Sequence, residues 1–212
     1  KLAPHDSLTR LPNRLLFATR LEQRIQECQH SQRSFSLLFL DLDGFKIIND
    51  AHGHHTGDLL LAEVAARITG LLGASDTASR FGGDEFVLAL APGDLSQTTA
   101  FAERLLAALA QPYEWEHNSL HITASIGIAV YPQDGTSLHE LTLNADAAMY
   151  YAKERGRNGY YCFDSAMNAN AHQQFLLQQA LHHALEREEL VLHYKPKYHA
   201  RSGQVVGAEA LL

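Results

Sequence analysis

The sequence predicts an α/β fold in which helices flank a central sheet. Helical stretches and short apolar runs of strand length alternate through residues 1–164 in the order αβααββαβαβ. The run at 36–40 is apolar at nearly every position, which is typical of a strand buried on both faces. The run at 121–130 alternates large apolar residues with small or polar ones, which predicts a strand covered by helices on one side.

The first predicted elements are a helix, which follows Pro12, and the buried strand. The apolar stripe of this helix consists of Phe17, Leu21, Ile25 and Cys28. The strand at 36–40 ends in Asp41 and Asp43, and alternation along a strand points both carboxylates to the same side. We expect Asp43 to cap the short helix that begins directly after it.

Two helices and a β-hairpin come next. The short helix at 44–50 is followed by a loop at 51–57 and by a longer helix at 58–72. Two strand-like runs at 77–81 and 86–90 then flank a pair of adjacent glycines. This pattern predicts a tight hairpin, because glycine accepts the positive φ that such turns require.

A helix, the alternating strand, another helix and an edge strand complete the first unit. The helix at 101–109 ends before Pro112, and the helix at 138–152 ends before Gly156. The edge strand is predicted at 160–163.

Residues 165–212 are predicted to form a second unit that is too small to bury a core alone. It begins with a linker helix whose apolar positions are Leu177, Leu181, Ala184 and Leu185. Two strands follow at 190–194 and 205–209, joined by a turn that contains glycine.

Composition excludes some classes of function. The chain has 212 residues, 46% of them hydrophobic, and a formal charge of −7, so no broad basic surface is available for nucleic acid. Cys28 and Cys162 form no CxxC motif, which favours reduced thiols in a cytoplasmic setting. The apolar run at 35–40 is too short to span a bilayer.

Because the chain starts without Met, we expect it to be a piece of a longer protein, whose other regions would provide any membrane anchor.

Carboxylates occur at the end of the buried strand and at the hairpin tip. Asp41 ends the strand, and Asp84 and Glu85 follow the hairpin glycines Gly82 and Gly83, whose backbone can approach a ligand closely. Because sequential elements are often neighbours in space, the hairpin would bring Asp84 beside Asp41. Two such carboxylates can hold Mg²⁺ against a triphosphate. Taken alone, the acidic hairpin tip is better explained as an ordinary polar turn.

Lys46 lies in the short helix that follows the buried strand. The N-terminal amides of a helix favour anions, so Lys46 is well placed to meet a phosphate group. The alternative is a solvated lysine without a ligand.

Many short motifs between residues 5 and 164 occur in an order and spacing that resemble one family. The longest are DLDGFK at 41–46 and RFGGDEF at 80–86. Shorter matches are Leu8-Thr9, LPNR at 11–14, Asn49-Asp50, Gly53-His54, Gly57-Asp58, SIG at 125–127, Ala152-Lys153 and GRN at 156–158. Together they resemble the GGDEF family of diguanylate cyclases.

The resemblance implies a palm-like fold with a central, mainly antiparallel sheet, similar to nucleotidyl cyclases. It also implies that two GTP molecules are joined into cyclic di-GMP with release of two pyrophosphates.

The resemblance implies a metal site and catalytic groups at numbered positions. Asp41, Asp84 and the carbonyl group of Leu42 would bind Mg²⁺ or Mn²⁺. Asp84 would assist deprotonation of the attacking 3′-hydroxyl, with Glu85 as a second candidate, and Lys46 would support catalysis at the phosphates. The positions implied to bind substrate are Phe45, Lys46, Asn49, His54, Asp58, Gly82, Gly83, Lys153 and Arg157.

Within the substrate set, Asn49 and Asp58 would recognise the guanine edge, and His54 would line the same pocket. A carboxylate can accept hydrogen bonds from guanine N1–H and N2–H₂, a donor pair that adenine lacks. Lys153 and Arg157 would contact phosphates; they are four residues apart, which predicts that they share a helix face. The alternative for both is that a cation near a helix C-terminus complements the helix dipole.

The implied reaction requires two domains, because each GTP is held by its own domain. We therefore expect GTP as substrate, cyclic di-GMP as product and a homodimer as the catalytic form. A second hypothesis is a GTP-binding regulatory module that controls an attached phosphodiesterase without turnover. A third is a structural or dimerisation domain.

The last 40 or so residues resemble the start of an EAL domain, a cyclic di-GMP phosphodiesterase with a TIM-like barrel. The matching positions are Ala180-Leu181, 184–187, Leu192, Tyr194, Pro196, Gly203 and 209–211. Lys195 replaces the glutamine usual in that family, and the later metal ligands and catalytic base are absent. This fragment is therefore not expected to hydrolyse cyclic di-GMP.

Many cyclases of the GGDEF family carry a product-binding pattern, Arg-x-x-Asp, ahead of the hairpin. Here Asp76 is present, but Gly73 stands at the arginine position. Glycine cannot replace the two-pronged guanidinium, so we expect no tight product inhibition through this site. Asp76 is expected to cap the turn before the hairpin.

Overall fold

A computed structural model describes residues 4–115, 118–167 and 191–211. The chain forms two compact units, Lys1–Asn168 and Ala169–Leu212. The described helices of the first unit are α1 (Arg14–Ser31), α2 (Phe45–His52), α3 (His54–Leu71), α4 (Leu95–Leu109) and α5 (Leu138–Glu154). Its described strands are β1 (Phe35–Asp43), β2 (Thr77–Gly82), β3 (Glu85–Leu90), β4 (Tyr113–Trp115), β5 (Asn118–Leu120), β6 (Thr123–Tyr131) and β7 (Gly159–Cys162).

A five-stranded sheet in the order β2-β3-β1-β6-β7 forms the centre of the first unit. The pairs β2–β3, β3–β1 and β1–β6 are antiparallel, and the pair β6–β7 is parallel. The predicted α/β fold with helices flanking a mainly antiparallel sheet is therefore confirmed, and β7 is an edge strand as predicted. The short hairpin of β4 and β5 was not predicted, because three-residue strands give no periodic signal.

Side chains of β1 alternate between two apolar clusters, one on each face of the sheet. Leu38, Leu40 and Leu42 pack with residues of α3 and α4, whereas Leu37 and Phe39 pack with residues of α1 and α5. The strand is therefore buried on both faces, as its continuous apolar run predicted.

Strand β6 is covered on both faces too, so the prediction of helices on one side only is wrong. Its large apolar residues Ile126 and Ile128 belong to the cluster under α3 and α4. On the other face, a Cβ added to Gly127 would lie 1.9 Å from the Ala145 carbonyl oxygen and 2.2 Å from the Met149 nitrogen. The small residues on that face therefore reflect the close approach of α5 rather than exposure to solvent.

Helix α1 starts after Pro12 and buries the face that its sequence predicts. The Asn13 side chain caps its first turn by accepting a hydrogen bond from the Leu16 N–H at 2.9 Å. The predicted apolar stripe is buried in full: Phe17, Leu21, Ile25 and Cys28.

Helices α2 and α3 are separated by one residue, so the predicted loop at 51–57 is wrong. Gly53 makes the turn with φ of 84°, and its N–H donates to the Asn49 carbonyl at 2.8 Å. Gly57, which suggested a loop, lies inside α3, where an added Cβ would be 1.9 Å from Asn49 Oδ1. This glycine makes room for the asparagine side chain instead of forming a turn.

The β2–β3 hairpin has its tip at Gly83 and Asp84, and only one of the two adjacent glycines has a positive φ. Gly83 has φ of 49°, whereas Gly82 belongs to β2 and pairs with Glu85 after a register shift. The predicted tight hairpin is therefore present, and the strands extend one residue closer to its tip than expected.

The described part of the second unit is an antiparallel pair, β8 (His193–Tyr198) and β9 (Val205–Leu211). All residues of both strands are exposed. The first strand starts three residues later than predicted, and the predicted linker helix at 177–185 lies outside the described residues. Among the described residues, no helix is long and apolar enough to cross a membrane.

The contact of Gly127 with α5 generates a stability prediction. Gly127→Ala should lower the free energy of unfolding by about 3 kcal/mol or more, because the methyl group overlaps helix backbone that cannot move aside. Gly70→Ala is the matched control, since Gly70 is exposed in α3 and has no atom within 4 Å of an added Cβ. The control should be neutral or stabilising by up to about 1 kcal/mol. Urea unfolding followed by circular dichroism measures both; equal stability of Gly127→Ala and the parent chain would contradict the proposed packing.

Candidate functional site

The end of β1 and the tip of the β2–β3 hairpin lie side by side. Asp41 pairs with Glu85, and the Leu42 N–H donates to the Asp84 carbonyl at 3.3 Å. Because the N–H and C=O groups of one strand residue face the same neighbouring strand, the Leu42 carbonyl oxygen also faces the hairpin tip. The structure thus brings together the groups for which a metal-binding role was predicted. We call Asp41, Asp84 and Glu85 the acidic edge.

Two side chains of β2 hold the hairpin tip in place. Arg80 donates from Nε to the Gly83 carbonyl at 2.9 Å and forms an ion pair with Asp6 at 3.5 Å. Phe81 packs edge-to-face against Phe17 of α1, with ring centroids 5.6 Å apart. The tip is therefore fastened both to the N-terminal segment and to α1, which limits the positions that Asp84 can adopt.

Lys153 of α5 extends to the acidic edge. Its Nζ lies 2.8 Å from Asp41 Oδ1, and the Asp41 residue is only 8% exposed. Without a cation, a carboxylate so deeply buried would be strongly unfavourable. The ammonium group of Lys153 therefore neutralises the charge of the Asp41 carboxylate.

Burial, with added charge repulsion for two of them, raises the pKa values of three carboxyl groups around the acidic edge. Burial raises the pKa of Asp41, and the charge of Asp84 adds to this, while Lys153 acts in the opposite direction. Burial likewise raises the pKa of Glu85, with further contributions from the charges of Asp41, Asp146 and Asp84. Burial also raises the pKa of Asp146, again opposed by Lys153. The groups at this end of the sheet therefore form one electrostatically coupled cluster with an excess of negative charge.

Asp43 does not cap α2, so that prediction is wrong. The capping position is Gly44, and no side chain accepts a hydrogen bond there. The Asp43 carboxylate instead accepts from the hydroxyls of Thr123 and Ser125, both at 2.7 Å, and from the Asn158 N–H at 3.1 Å. The physical reason is that β1 continues through Asp43, so its side chain faces the neighbouring strand β6.

Lys153 and Arg157 do not share a helix face, so that prediction is also wrong. Helix α5 ends at Glu154, and Arg157 lies in the following loop with φ of 62°. The bond from Asn158 to Asp43 holds this loop beside the end of β1. Arg157 is therefore brought to the same region by a loop contact and not by helical periodicity.

The residues predicted to recognise guanine come from α2 and α3. Asn49 packs directly against Gly57 of α3, and its Oδ1 is buried without a hydrogen-bond partner among the described residues. Asp58 and His54 are exposed in the first turns of α3. Phe45 is 7% exposed and belongs to the core, so it supports this region from behind.

The remaining predicted ligand groups lie at the surface. Lys46 is exposed in the first turn of α2, and Gly82 and Gly83 are exposed at the hairpin tip. A groove of about 950 Å³ between α1 and α5 has Glu85 and Asp146 in its lining but none of the predicted guanine-binding residues. The predicted nucleotide contacts therefore lie outside this groove.

Sequence reasoning missed Asp146, whose charge raises the pKa of Glu85 and whose own pKa, raised by burial, is lowered in part by the charge of Lys153. A signal was available, because Asp146 and Lys153 are seven residues apart on α5, close to two helical turns, and so lie on one face. Sequence reasoning also missed the part that Asp43 plays in holding the loop after α5. No local pattern could have shown this, since its partners are 80, 82 and 115 residues away in the chain.

The donor set at the acidic edge fits a magnesium or manganese ion that also binds its substrate. No group of three or more His, Cys, Asp or Glu in the described ranges is arranged to hold a metal alone. Asp41, Asp84 and the Leu42 carbonyl supply hard oxygen donors, and Mg²⁺ in nucleotide sites is commonly held by one or two carboxylates plus phosphate oxygens and water. The position of the Lys153 ammonium shows that this edge accommodates a cation.

Asp76 caps the turn before the hairpin, as expected. Its carboxylate accepts from the Gly73 N–H at 2.7 Å and from the Ala91 N–H at 3.1 Å. Both carboxylate oxygens are thus occupied by backbone groups.

Comparison with known proteins gives a consistent result. The model of the family "Diguanylate cyclase, GGDEF domain" matches residues 3–159. The bifunctional diguanylate cyclase/cyclic di-GMP phosphodiesterase MucR of Pseudomonas aeruginosa is 55% identical over 212 residues, which cover 100% of this chain and 31% of MucR. The chain thus spans about a third of the length of this relative.

Solved structures resemble the first unit. A shortened form of YfiN (TpbB) from Pseudomonas aeruginosa, comprising only the GGDEF domain, has a TM-score of 0.77 and 35% identity, covering 79% of this chain and 99% of that one. The GGDEF domain of DgcB from Caulobacter crescentus, solved in complex with cyclic di-GMP, has a TM-score of 0.72 and 30% identity, covering 78% and 96%.

The raised pKa of Glu85 generates a prediction about stability and pH. The pKa of Glu85 is higher in the folded chain than in the unfolded chain. The protonated side chain therefore contributes stability that is fully present below the unfolded pKa, and this contribution is lost as the pH rises through the folded pKa. Near neutral pH the ionised side chain destabilises the fold relative to a neutral one. Glu85→Gln should therefore raise the free energy of unfolding near neutral pH, by up to about 1 kcal/mol for a partly exposed charge. The gain should vanish at about pH 3.5, where glutamate is mostly protonated.

Thermal unfolding at both pH values measures the effect of Glu85→Gln, with Glu22→Gln, which is exposed on α1, as the control. The control should show no comparable difference between the two pH values. A Glu85→Gln variant that is less stable than the parent chain near neutral pH would contradict the electrostatic description of the acidic edge.

Proposed function

Because the chain belongs to the family of GGDEF diguanylate cyclase domains, we propose that it condenses two GTP molecules into cyclic di-GMP and releases two pyrophosphates. The observation that supports this most strongly is the pairing of β1 with β3. It brings Asp41 and the Leu42 carbonyl beside Asp84 of the hairpin tip, which is partly exposed. A domain with an unrelated or purely structural role would have no need to hold several carboxylates so close together, since their mutual repulsion is destabilising.

In this proposal, Asp41, Asp84 and the carbonyl group of Leu42 hold Mg²⁺ or Mn²⁺. Such an ion neutralises triphosphate charge and orients the reacting oxygens when it is bound. Lys46, in the first turn of α2, and Arg157, in the loop held by Asp43, add positive charge for the phosphates. Their contributions matter because the chain as a whole is acidic.

Guanine recognition is assigned to Asn49 and Asp58, with His54 beside them. Asn49 Oδ1 is a buried acceptor without a partner among the described residues, and an unsatisfied acceptor of this kind costs about 1–3 kcal/mol. Rotation about the Asn49 side-chain bonds would expose this oxygen to the ligand side, where a guanine N–H group would satisfy it. The exposed carboxylate of Asp58 can accept from the neighbouring donors of the same base edge.

The reaction itself is an in-line displacement at phosphorus. The 3′-hydroxyl oxygen of one GTP attacks the α-phosphorus of the other, an O–P bond forms, and the bond to the departing pyrophosphate breaks. The hydroxyl proton passes to Asp84, or to Glu85, whose raised pKa makes it a stronger base than an ordinary glutamate. The same exchange in the opposite direction closes the ring, so two GTP-loaded domains must face each other as a homodimer.

A second candidate function is regulation of an attached phosphodiesterase by GTP binding without turnover. It is favoured by the match to a relative named only as a phosphodiesterase: the cyclic di-GMP phosphodiesterase NbdA of Pseudomonas aeruginosa is 38% identical over 216 residues, which cover 100% of this chain. We propose that residues 165–212 begin an EAL domain, of which β8 and β9 are the described part. In this second candidate function, the attached phosphodiesterase would hydrolyse cyclic di-GMP in the cytoplasm, and GTP binding by the first unit would regulate it.

Turnover of GTP distinguishes these functions. Purified chain with GTP and Mg²⁺ should form cyclic di-GMP, separated by chromatography, at a rate that rises faster than linearly with protein concentration. Asp84→Ala should lower the rate about a hundredfold or more, a loss typical of removing one group that stabilises transition-state charge. Glu27→Ala, an exposed acidic residue on α1, is the control and should be fully active.

GTP binding without product at any protein concentration would contradict the cyclase proposal and favour the regulatory function. Substantial turnover by Asp84→Ala would show instead that the site is wrongly assigned.

A further inference from the structure

The ion pair between Lys153 and Asp41 occupies the carboxylate that the proposed function assigns to a metal. Lys153 Nζ is 2.8 Å from Asp41 Oδ1. A divalent ion bound to the same carboxylate would lie within a few ångströms of the ammonium group, and like charges at such a distance repel strongly in a partly buried site. Lysine and metal are therefore competitors for Asp41.

Lys153 can leave Asp41 without disturbing the core. Its side chain is 27% exposed, whereas its helical neighbour Ala152 is 2% exposed and anchors α5 to the sheet. A lysine ammonium on a four-carbon stem can be moved several ångströms by rotation about its side-chain bonds. Glu85 and Asp146 lie close enough to interact with the same ammonium, so it keeps negative neighbours after leaving Asp41.

We propose that Lys153 is the resident counterion of Asp41 in the metal-free domain, and that metal binding releases its ammonium group to the phosphates of the nucleotide. This inference rests on the proposed function, since it takes Asp41 as a metal ligand and a nucleoside triphosphate as the ligand. It adds that one lysine serves two partners in turn. The metal-free domain keeps its buried carboxylate neutralised, and the loaded domain gains a phosphate contact.

The exchange has a thermodynamic consequence. A metal that binds alone must break the ion pair and leaves the ammonium group without an equally good partner. A metal that binds with a triphosphate breaks the same ion pair, but the phosphates then provide a new partner for the lysine. By thermodynamic linkage, bound metal must raise the affinity for the nucleotide, and bound nucleotide must raise the affinity for the metal by the same factor. This effect adds to the one that comes from direct contact between metal and phosphate.

Lys153→Met tests the exchange, because it keeps the apolar stem and removes the charge. The affinity for Mn²⁺ in the absence of nucleotide, measured from the paramagnetic resonance signal of free Mn²⁺, should rise about three- to tenfold once the competing ion pair is gone. The affinity for a GTP analogue with a methylene group between the α- and β-phosphorus, measured calorimetrically at saturating Mn²⁺, should fall by about the same factor. The combination of tighter metal and weaker nucleotide binding is the signature of the exchange.

Arg155→Met is the matched control for the loss of one positive charge. Arg155 is two residues away in the chain and stacks on Tyr151, 4.7 Å from its ring centroid. It should change neither affinity by more than a small factor. If Lys153→Met does not fold, Lys153→Gln, which retains a hydrogen-bond donor for Asp41, takes its place with the same expected directions.

The outcomes separate this inference from the proposed function. Unchanged or weaker Mn²⁺ binding by Lys153→Met, while Asp84→Ala abolishes it, would overturn the exchange and leave the metal site intact. Tighter Mn²⁺ binding with unchanged nucleotide binding would also overturn it, because the released lysine would then have no phosphate partner. Absence of Mn²⁺ binding in the unmutated chain, with or without the GTP analogue, would overturn the metal site and this inference together.

Discussion

The antiparallel pairing of β1 with β3 is the constraint on which the site depends. A strand buried on both faces must end where polar groups can reach solvent, and β1 ends in Asp41, Leu42 and Asp43. The register with β3 sets the hairpin tip directly opposite this end. A shift of one residue would turn Asp41 to the other face of the sheet and would separate it from Lys153. Fold stability and site geometry are therefore determined by the same hydrogen-bond ladder.

Charge balance at this end of the sheet comes from several elements at once. The acidic edge belongs to β1 and the hairpin, Lys153 to α5, and Arg157 to the loop that Asp43 holds. Each cation is placed by a different contact, so the site is assembled only when sheet and helices have packed. Burial of these carboxylates, and to a smaller extent their mutual repulsion, has a cost in stability, because both effects raise the pKa of Asp41 and of Glu85. A bound metal ion would remove that cost.

Much of the fold could be predicted because its signals are local. The apolar stripe of α1 and the continuous apolar run of β1 need no knowledge of their partners. The proximity of Asp41 and Asp84 followed from a general rule about sequential elements, and the structure has that arrangement. What could not be predicted depended on contacts between distant segments. Gly57 favours a loop in the sequence, yet it lies inside α3 against Asn49. The small residues at alternate positions of β6 favour an uncovered face, yet Gly127 packs against α5. Asp43 was misassigned for the same reason, since Thr123 and Ser125 are reached only through the sheet.

The central claim is that the acidic edge binds a metal-bound GTP molecule. A crystal structure of the chain with Mn²⁺ and the methylene-bridged GTP analogue tests it directly, because anomalous scattering locates manganese without reference to the protein. We expect an anomalous peak within bonding distance of Asp41, Asp84 and the Leu42 carbonyl oxygen, with the guanine base against Asn49 and Asp58. Manganese at any other position, or a base in the groove between α1 and α5, would contradict it.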